Sequence, residues 1–464
     1  MLFHQLEFII FFLISFCLYW TMSSSQARKY FLTIASFIFY GFWDYRFTLL
    51  LFGVTCITYY TGKSFTLTQN IKLKKRYLSI GISFLLFILC IFKYFNFFID
   101  NFIVFCNLFD INVKHDSFIK IILPVGISFY VFHGISYLVD LYRKKIDSNH
   151  TLLDIALYIA FFPQLIAGPI VRASVFLPQL KTKRTLTFDS ITKGLLLFFI
   201  GLMYKSVLSE MVSSQIDPIF ANPKDWNQLS KFYAAIFYYM QIYFDFAGYS
   251  NMAIGVSYLF GFKLPENFNF PYISINITEF WKRWHISLSS WLRDYLYFSL
   301  GGNRTTFNRM LLNLLITMLL GGLWHGASWN FVLWGAMHGL ALIIHKLFQR
   351  YFGYFKINFI IAWMLTQFWV CLLWIPFRIE NFSSTVDFLQ SIFFNIDSGS
   401  GSIQLMSFIP VIFIFLDSII GIISKRNFGH SVKNAIWGVV YGVIFGLCIL
   451  CMQLDTSPFI YFQF

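Results

Sequence analysis

Long apolar stretches alternate with short polar breaks along the whole chain. Runs rich in Leu, Ile, Val, Phe and Ala occupy residues 6–22, 30–43, 47–61, 77–99, 117–141, 191–210, 231–261, 311–323, 329–345, 357–376, 403–424 and 434–452. A helix needs roughly 20 apolar residues to cross a bilayer, so the pattern predicts an all-α polytopic membrane protein. It has about 11–12 spanning helices on this reading. Two segments break the rhythm. Residues 152–180 contain Pro163, Gly168, Pro169 and Pro178, which predicts a broken or re-entrant element packed inside protein. Residues 276–300 mix Trp, Lys, Arg and Asp with apolar residues, which predicts a helix in the plane of the interface. The first run follows residues 1–7, which lack a basic cluster, and no small-residue cleavage site follows it. It is expected to be a retained span rather than a signal peptide.

Composition sharpens this picture. Of 464 residues, 58% are hydrophobic and 12% charged, and 61 are Phe. That excludes a soluble enzyme, a secreted disulfide scaffold and a disordered chain, and a single membrane domain over 1–464 is expected. The balance of 35 Lys+Arg against 21 Asp+Glu gives a formal charge of +14. In a soluble protein this would point to nucleic acid; here cytoplasmic loops account for it, and no nucleic-acid partner is expected. The basic clusters lie at 28–29, 72–76, 143–145, 181–184, 282–304, 346–356 and 425–433. With the N-terminus outside, all fall on the cytoplasmic side, while loops 100–116, 211–230 and 377–402 fall outside. Twelve crossings return the C-terminus to the outside. The seven Cys mostly sit in apolar stretches; Cys448 and Cys451 form a C-x-x-C within an expected span and read as packed thiols.

Polar groups are densest in residues 241–345, at depths where they are costly. His325 lies between the short runs 311–323 and 329–345, which read as a helical hairpin entering from the cytoplasm with this histidine at its tip. Gly321, Gly322 and Gly326 clear space around it. A neutral imidazole there can take a proton from a hydroxyl nucleophile, or it can be a packed histidine bonding a carbonyl. His285, beside Trp281, Arg283 and Trp284, reads by itself as facing headgroups. His338 reads as packing or lining a cavity, and His133 and His345 as helix-borne near span ends. Lys282, Arg283 and Arg293, extended by Arg304 and Arg309, are either interfacial anchors or a binding strip for a polyanionic cofactor. Asp245 and Asp294 are expected to be their ion-pair partners. The tail, residues 459–464, carries three Phe and Tyr461. It reads as tucked into an apolar groove, with Tyr461 an interface anchor or an acyl acceptor. No His-Glu-x-x-His, Walker A or Gly-x-Ser-x-Gly pattern occurs, and no metal is expected.

Several of these stretches are long and specific. They are Tyr243-Phe-Asp-Phe-Ala-Gly-Tyr-Ser-Asn-Met-Ala-Ile-Gly255, Leu264-Pro-Glu-Asn-Phe268, Phe280-Trp-Lys-Arg-Trp-His-Ile-Ser-Leu-Ser-Ser-Trp-Leu-Arg-Asp-Tyr-Leu-Tyr297, Leu300-Gly-Gly-Asn-Arg304 and Gly322-Leu-Trp-His-Gly326. Phe162-Pro-Gln-Leu-Ile-Ala-Gly-Pro-Ile-Val-Arg172 and Trp374-Ile-Pro-Phe-Arg378 join them. Together they resemble the membrane-bound O-acyltransferase superfamily, in its bacterial branch of alginate and peptidoglycan O-acetylation subunits. The resemblance implies a family core over about 117–350 and a fold built around a central tunnel. It implies acetyl-CoA as acyl donor, bound from the cytoplasm against Lys282, Arg283, Arg293, Arg304 and Trp324. His325 matches the family's catalytic histidine and His285 its second characteristic one. The tail is similar to a terminal motif whose Tyr carries the acyl group, here Tyr461. A periplasmic SGNH-type acetyltransferase or esterase would then acetylate a cell-surface polysaccharide outside a bacterial inner membrane, with peptidoglycan the first expectation and an alginate-like polymer the second.

Three other readings stand beside it. A D-alanyl transferase for teichoic acids would share the architecture but need a carrier protein docking inside. A lipid-linked sugar transporter would show inverted repeats, which the sequence does not. A scaffold for a synthase complex would not need His325.

Overall fold

The computed structural model describes residues 1–415, except 112, 114–117, 354, 356, 395–398, 400 and 402–409, together with residue 446. The described residues are helical, with no β-strand among them. In chain order the helices are α1 (Leu6–Thr21), α2 (Ser25–Gly41), α3 (Arg46–Ser64), α4 (Ile71–Asn107), α5 (Ile127–Tyr142), α6 (Leu152–Ala160), α7 (Phe162–Leu165), α8 (Ala173–Leu180) and α9 (Phe188–Met203). There follow α10 (Glu210–Ala221), α11 (Gln228–Leu259), α12 (Ile277–Arg283), α13 (Ile286–Trp291), α14 (Phe307–His325), α15 (Trp329–Tyr351), α16 (Phe359–Arg378) and α17 (Phe382–Phe394). Among the described residues, five helical stretches are long and apolar enough to cross a membrane: Ile71–Asn107, Phe188–Ala221, Phe307–His325, Trp329–Tyr351 and Phe359–Arg378. Alpha1 is a shorter apolar helix. Leu6, Ile10, Leu13, Phe84 and Phe87 stay exposed on α1 and α4, as lipid-facing side chains do.

The chain forms two compact units. The first comprises Met1–Gly194 and Ala253–Pro265. Its centre is α5, which is buried from Ile127 to Leu141 and packs on α3, α4 and α6. The expected break at 152–180 is real. Alpha6 starts on a capping box between Thr151 and Asp154 and stops before Pro163, which opens α7. This broken element is almost wholly buried, and the backbone N–H of Val171 donates to His133 Nε2 at 3.2 Å. His133 itself lies in the middle of α5.

The second unit comprises Leu195–Met252 and Glu266–Phe464. Trp284, Trp334 and Trp374 are among its largest fully buried side chains. Between α9 and α10 the helix widens into a π-turn over Tyr204–Ser209. Lys205 on this turn meets Asp245 of α11 at 2.8 Å and Glu210 at 3.4 Å, all three buried.

Several expectations need correction. The stretch 117–141 is helical only from Ile127, because Pro124 and the left-handed Gly126 (φ 75°) end regular structure before it. The loop 211–230 is helical as far as Ala221. The loop 377–402 contains α17, whose Thr385, Phe388, Ser391 and Ile392 form a buried stripe at helical spacing. The interfacial segment 276–300 is not one helix: it breaks at Trp284 and His285, then continues as α13 and a π-turn over Leu292–Tyr297. Asp245 forms an ion pair with Lys205, outside the basic strip, whereas Asp294 pairs with Arg293 of the strip at 2.7 Å. The expected span 434–452, apart from residue 446, and most of 403–424 lie outside the described residues, as do the tail and Tyr461.

Candidate active site

The break in the segment 276–300 makes the site. Alpha12 begins with the Asn276 side chain accepting from the Glu279 N–H at 2.8 Å, and ends at Arg283. His285 then adopts a left-handed backbone conformation (φ 41°, ψ 55°). Such a conformation is rare for a residue with a Cβ, and persists only where surrounding contacts impose it. The contacts are two backbone hydrogen bonds: Ile286 N donates to Asn267 O at 2.8 Å, and Asn269 N donates to Arg283 O at 2.9 Å. The turn delivers the imidazole of His285 to a fully buried position.

Asn267 decides the proton on this imidazole. Its Oδ1 accepts from the Ser287 backbone N–H at 3.3 Å and the Ser287 hydroxyl at 2.7 Å, while its Nδ2 donates to Ser250 Oγ at 3.0 Å. A backbone N–H is always a donor, so the atom facing it is an acceptor. The third contact of Oδ1, with His285 Nδ1 at 3.1 Å, therefore requires Nδ1 to carry hydrogen. In the neutral ring Nε2 is then the lone-pair nitrogen. Burial pushes the His285 pKa down to about 3, so the ring is neutral at ordinary pH.

His325 reaches the region from another helix end. It is the last residue of α14, at the tip of the α14–α15 hairpin, as expected. Gly322 and Gly335 let the two helices touch: a Cβ on either would collide with a carbonyl oxygen of the other, of Phe331 or Met318. The His325 ring lies among Trp324 (4.9 Å between centroids), Trp334 (5.0 Å) and Phe377 (5.1 Å). Trp324 also meets His285, at 5.9 Å, so one indole touches both histidines.

The aromatic lining continues beyond this pair. His338 lies 4.6 Å from Trp334 and 5.0 Å from Trp281. It is fully buried, and neither ring nitrogen has a hydrogen-bond partner among the described residues; nor do the indole nitrogens of Trp281 and Trp334. Sequence reasoning read His338 as packing or lining a cavity, and its position one ring from His325 was missed. The thirteen-residue spacing from His325 does not itself show proximity; the hairpin does. Asn267 was also missed as a positioning residue, although it stands in one of the quoted motifs.

The expected cofactor residues divide. Trp324 is buried between the histidines. Lys282, Arg293 and Arg304 are exposed, while Arg283 is held by Glu279 at 2.7 Å and by the Asn269 carbonyl at 3.0 Å. Among the described residues no three His, Cys, Asp or Glu side chains come together as a metal site.

The sequence profile of the membrane-bound O-acyltransferase family matches residues 141–375. A probable alginate O-acetylase of Pseudomonas aeruginosa is 40% identical over 384 residues, which is 82% of this chain and 72% of that protein. A peptidoglycan O-acetyltransferase of Helicobacter pylori is 37% identical over 78% of this chain and 73% of its own. A teichoic acid D-alanyltransferase of Bacillus subtilis is 31% identical over 54% of this chain and 64% of its own. The chain is a multi-pass acyltransferase and belongs to the membrane-bound O-acyltransferase family, in the branch of bacterial polysaccharide O-acetyltransferases.

Proposed function

We propose that this acyltransferase takes acetyl from acetyl-CoA at the cytoplasmic face of a bacterial inner membrane and passes it outward for O-acetylation of a cell-surface polysaccharide. The observation that carries the reading is the pair of buried histidines in contact with one indole, one of them held as a neutral ring with its hydrogen on Nδ1. The named activities of the relatives support peptidoglycan or an alginate-like polymer as the final acceptor.

In this reading His325 is the base. It takes the phenol proton of Tyr461 as the phenolate oxygen attacks the thioester carbonyl carbon. The carbon–sulfur bond breaks, and the CoA thiolate leaves and takes up a proton. His285, through Nε2, accepts a hydrogen bond from a donor on the bound acyl chain or acceptor and so orients it. Lys282, Arg293 and Arg304 hold the phosphates of CoA, and Trp324 lines the path of its acyl end. Acetyl-Tyr461 then passes its acyl group to a periplasmic SGNH-type partner, so the charged CoA never crosses the bilayer.

The test is intact-mass and peptide mass spectrometry of purified protein after incubation with acetyl-CoA. An acetyl adduct on Tyr461 that is absent in Tyr461→Phe and in His325→Ala is the expected result. Turnover of acetyl-CoA with no adduct would replace the relay by direct transfer. An adduct formed only from a D-alanyl carrier protein, not from acetyl-CoA, would move the donor to the teichoic acid class.

A further inference from the structure

Away from the histidines, the first unit contains a small, half-open surface cleft. Two clusters that lie far apart in the sequence meet in it. Arg28 and Lys29 come from the first turn of α2, and Arg184 from the loop after α8. No carboxylate lines the cleft, and Asp154, outside its lining, pairs with Lys29 at 2.7 Å. Three cations therefore stand against one neighbouring carboxylate. Leu32, Leu157 and Phe262 form an apolar wall beside them.

The two guanidinium groups are fixed rather than loose. Arg28 Nε donates to Met22 O at 2.8 Å and Nη1 to Arg184 O at 2.9 Å. The Arg28 guanidinium also lies over the rings of Tyr19 (5.0 Å) and Trp20 (4.7 Å). Arg184 donates to the carbonyls of Gly261 and Gln179 and to the Thr182 hydroxyl, and lies over Phe262 at 5.5 Å. Its Nε is buried and has no hydrogen-bond partner among the described residues. Preorganised guanidinium groups of this kind match phosphate oxygens well, since little side-chain entropy remains to be lost on binding. Surface cations serving only as interfacial anchors would extend into water rather than stack on rings and bond to the backbone.

We propose that this cleft is a phosphate-binding site, in which Arg28, Lys29 and Arg184 hold a phosphate group while the apolar wall takes the carbon chain next to it. The wall favours a phospholipid headgroup of the anionic kind over a soluble phosphate ester. Basic pockets between membrane helices on the cytoplasmic side take such headgroups.

The full-length protein would be placed in nanodiscs of phosphatidylcholine with and without phosphatidylglycerol, and separately given 3′,5′-ADP as a soluble phosphate probe. Phosphatidylglycerol is expected to raise the unfolding temperature by about 2–4 °C. Arg184→Gln and Lys29→Gln are expected to weaken this about tenfold in lipid concentration, each shift being read against that variant's own midpoint in pure phosphatidylcholine. A photoactivatable phosphatidylglycerol on the wild-type protein gives a measurement independent of any variant. Labelling of peptides containing residues 28–32 or 179–184 supports the lipid source. A shift with 3′,5′-ADP alone, lost in Arg184→Gln, keeps the site and changes its source to a soluble phosphate. No shift with either probe, or labelling confined to other peptides, overturns the proposal.

Discussion

Asn267 Oδ1 and His285 Nδ1 lie 3.1 Å apart, and the Ser287 backbone N–H on the same oxygen makes the histidine the donor. The consequence is a buried imidazole with one defined tautomer. Asn267→Ala removes that constraint and leaves a buried donor unmatched. Acyl transfer is expected to fall about ten- to a hundredfold while the protein still purifies as a folded species. Asn267→Asp puts a carboxylate against Nδ1 and favours the imidazolium. The acidic limb of its pH–rate profile should then move to higher pH, and a profile identical to wild type would remove Asn267 from this role.

The neutrality of His285 also makes stability depend on pH. Its folded pKa of about 3 lies below the ordinary 6.5, so between these values the unfolded chain binds a proton that the folded chain does not. This contribution is fully present above about pH 6.5 and is lost as pH falls toward the folded value. Thermal unfolding in detergent, followed from about pH 8 down to about pH 5, should show a falling midpoint. His285→Gln should flatten that slope relative to wild type. Equal slopes in the two proteins would show that another group carries the effect.

His338→Phe separates packing from chemistry. The described structure shows no hydrogen bond to either ring nitrogen, and the ring is surrounded by Phe280, Trp281 and Trp334. Replacing it with an apolar ring should leave the unfolding temperature unchanged or raised. Acyl transfer should nonetheless fall by about tenfold if its nitrogens contact the bound acyl group or acceptor. Full activity in this variant would reduce His338 to a space-filling ring.

The buried ion group at Lys205 predicts an asymmetry. Lys205→Met leaves Asp245 and Glu210 without their shared cation, and breaking a buried pair in this way costs about 3–5 kcal/mol. Asp245→Asn leaves Glu210 still beside Lys205 and should be the milder change. Expression level and thermal midpoint of the two variants check this, and the reverse order would refute it.

Much of this was legible in the pattern of residues. The hairpin and the position of His325 followed from two short apolar runs flanking a glycine-rich turn, a local signal. The broken element at 152–180 followed from its prolines. The break at His285 did not, because Trp, Lys and Arg continue on both sides of it and the cause is a backbone clamp from Asn267 and Asn269. Lys205 was hidden inside an apolar run, and its partner Asp245 lies forty residues later on another helix. Alpha17 was read as loop because its buried stripe includes Thr385 and Ser391, which look polar in isolation.

His285 caps the start of α13, and His325 is the final residue of α14. Both imidazole rings thus hang from places where a helix stops. The scaffold and the chemistry are mechanically separable: a turn can be re-angled by a substitution at its clamp without disturbing a buried helix face. A substitution at either turn is therefore expected to move a ring while the packed helices around it keep their places.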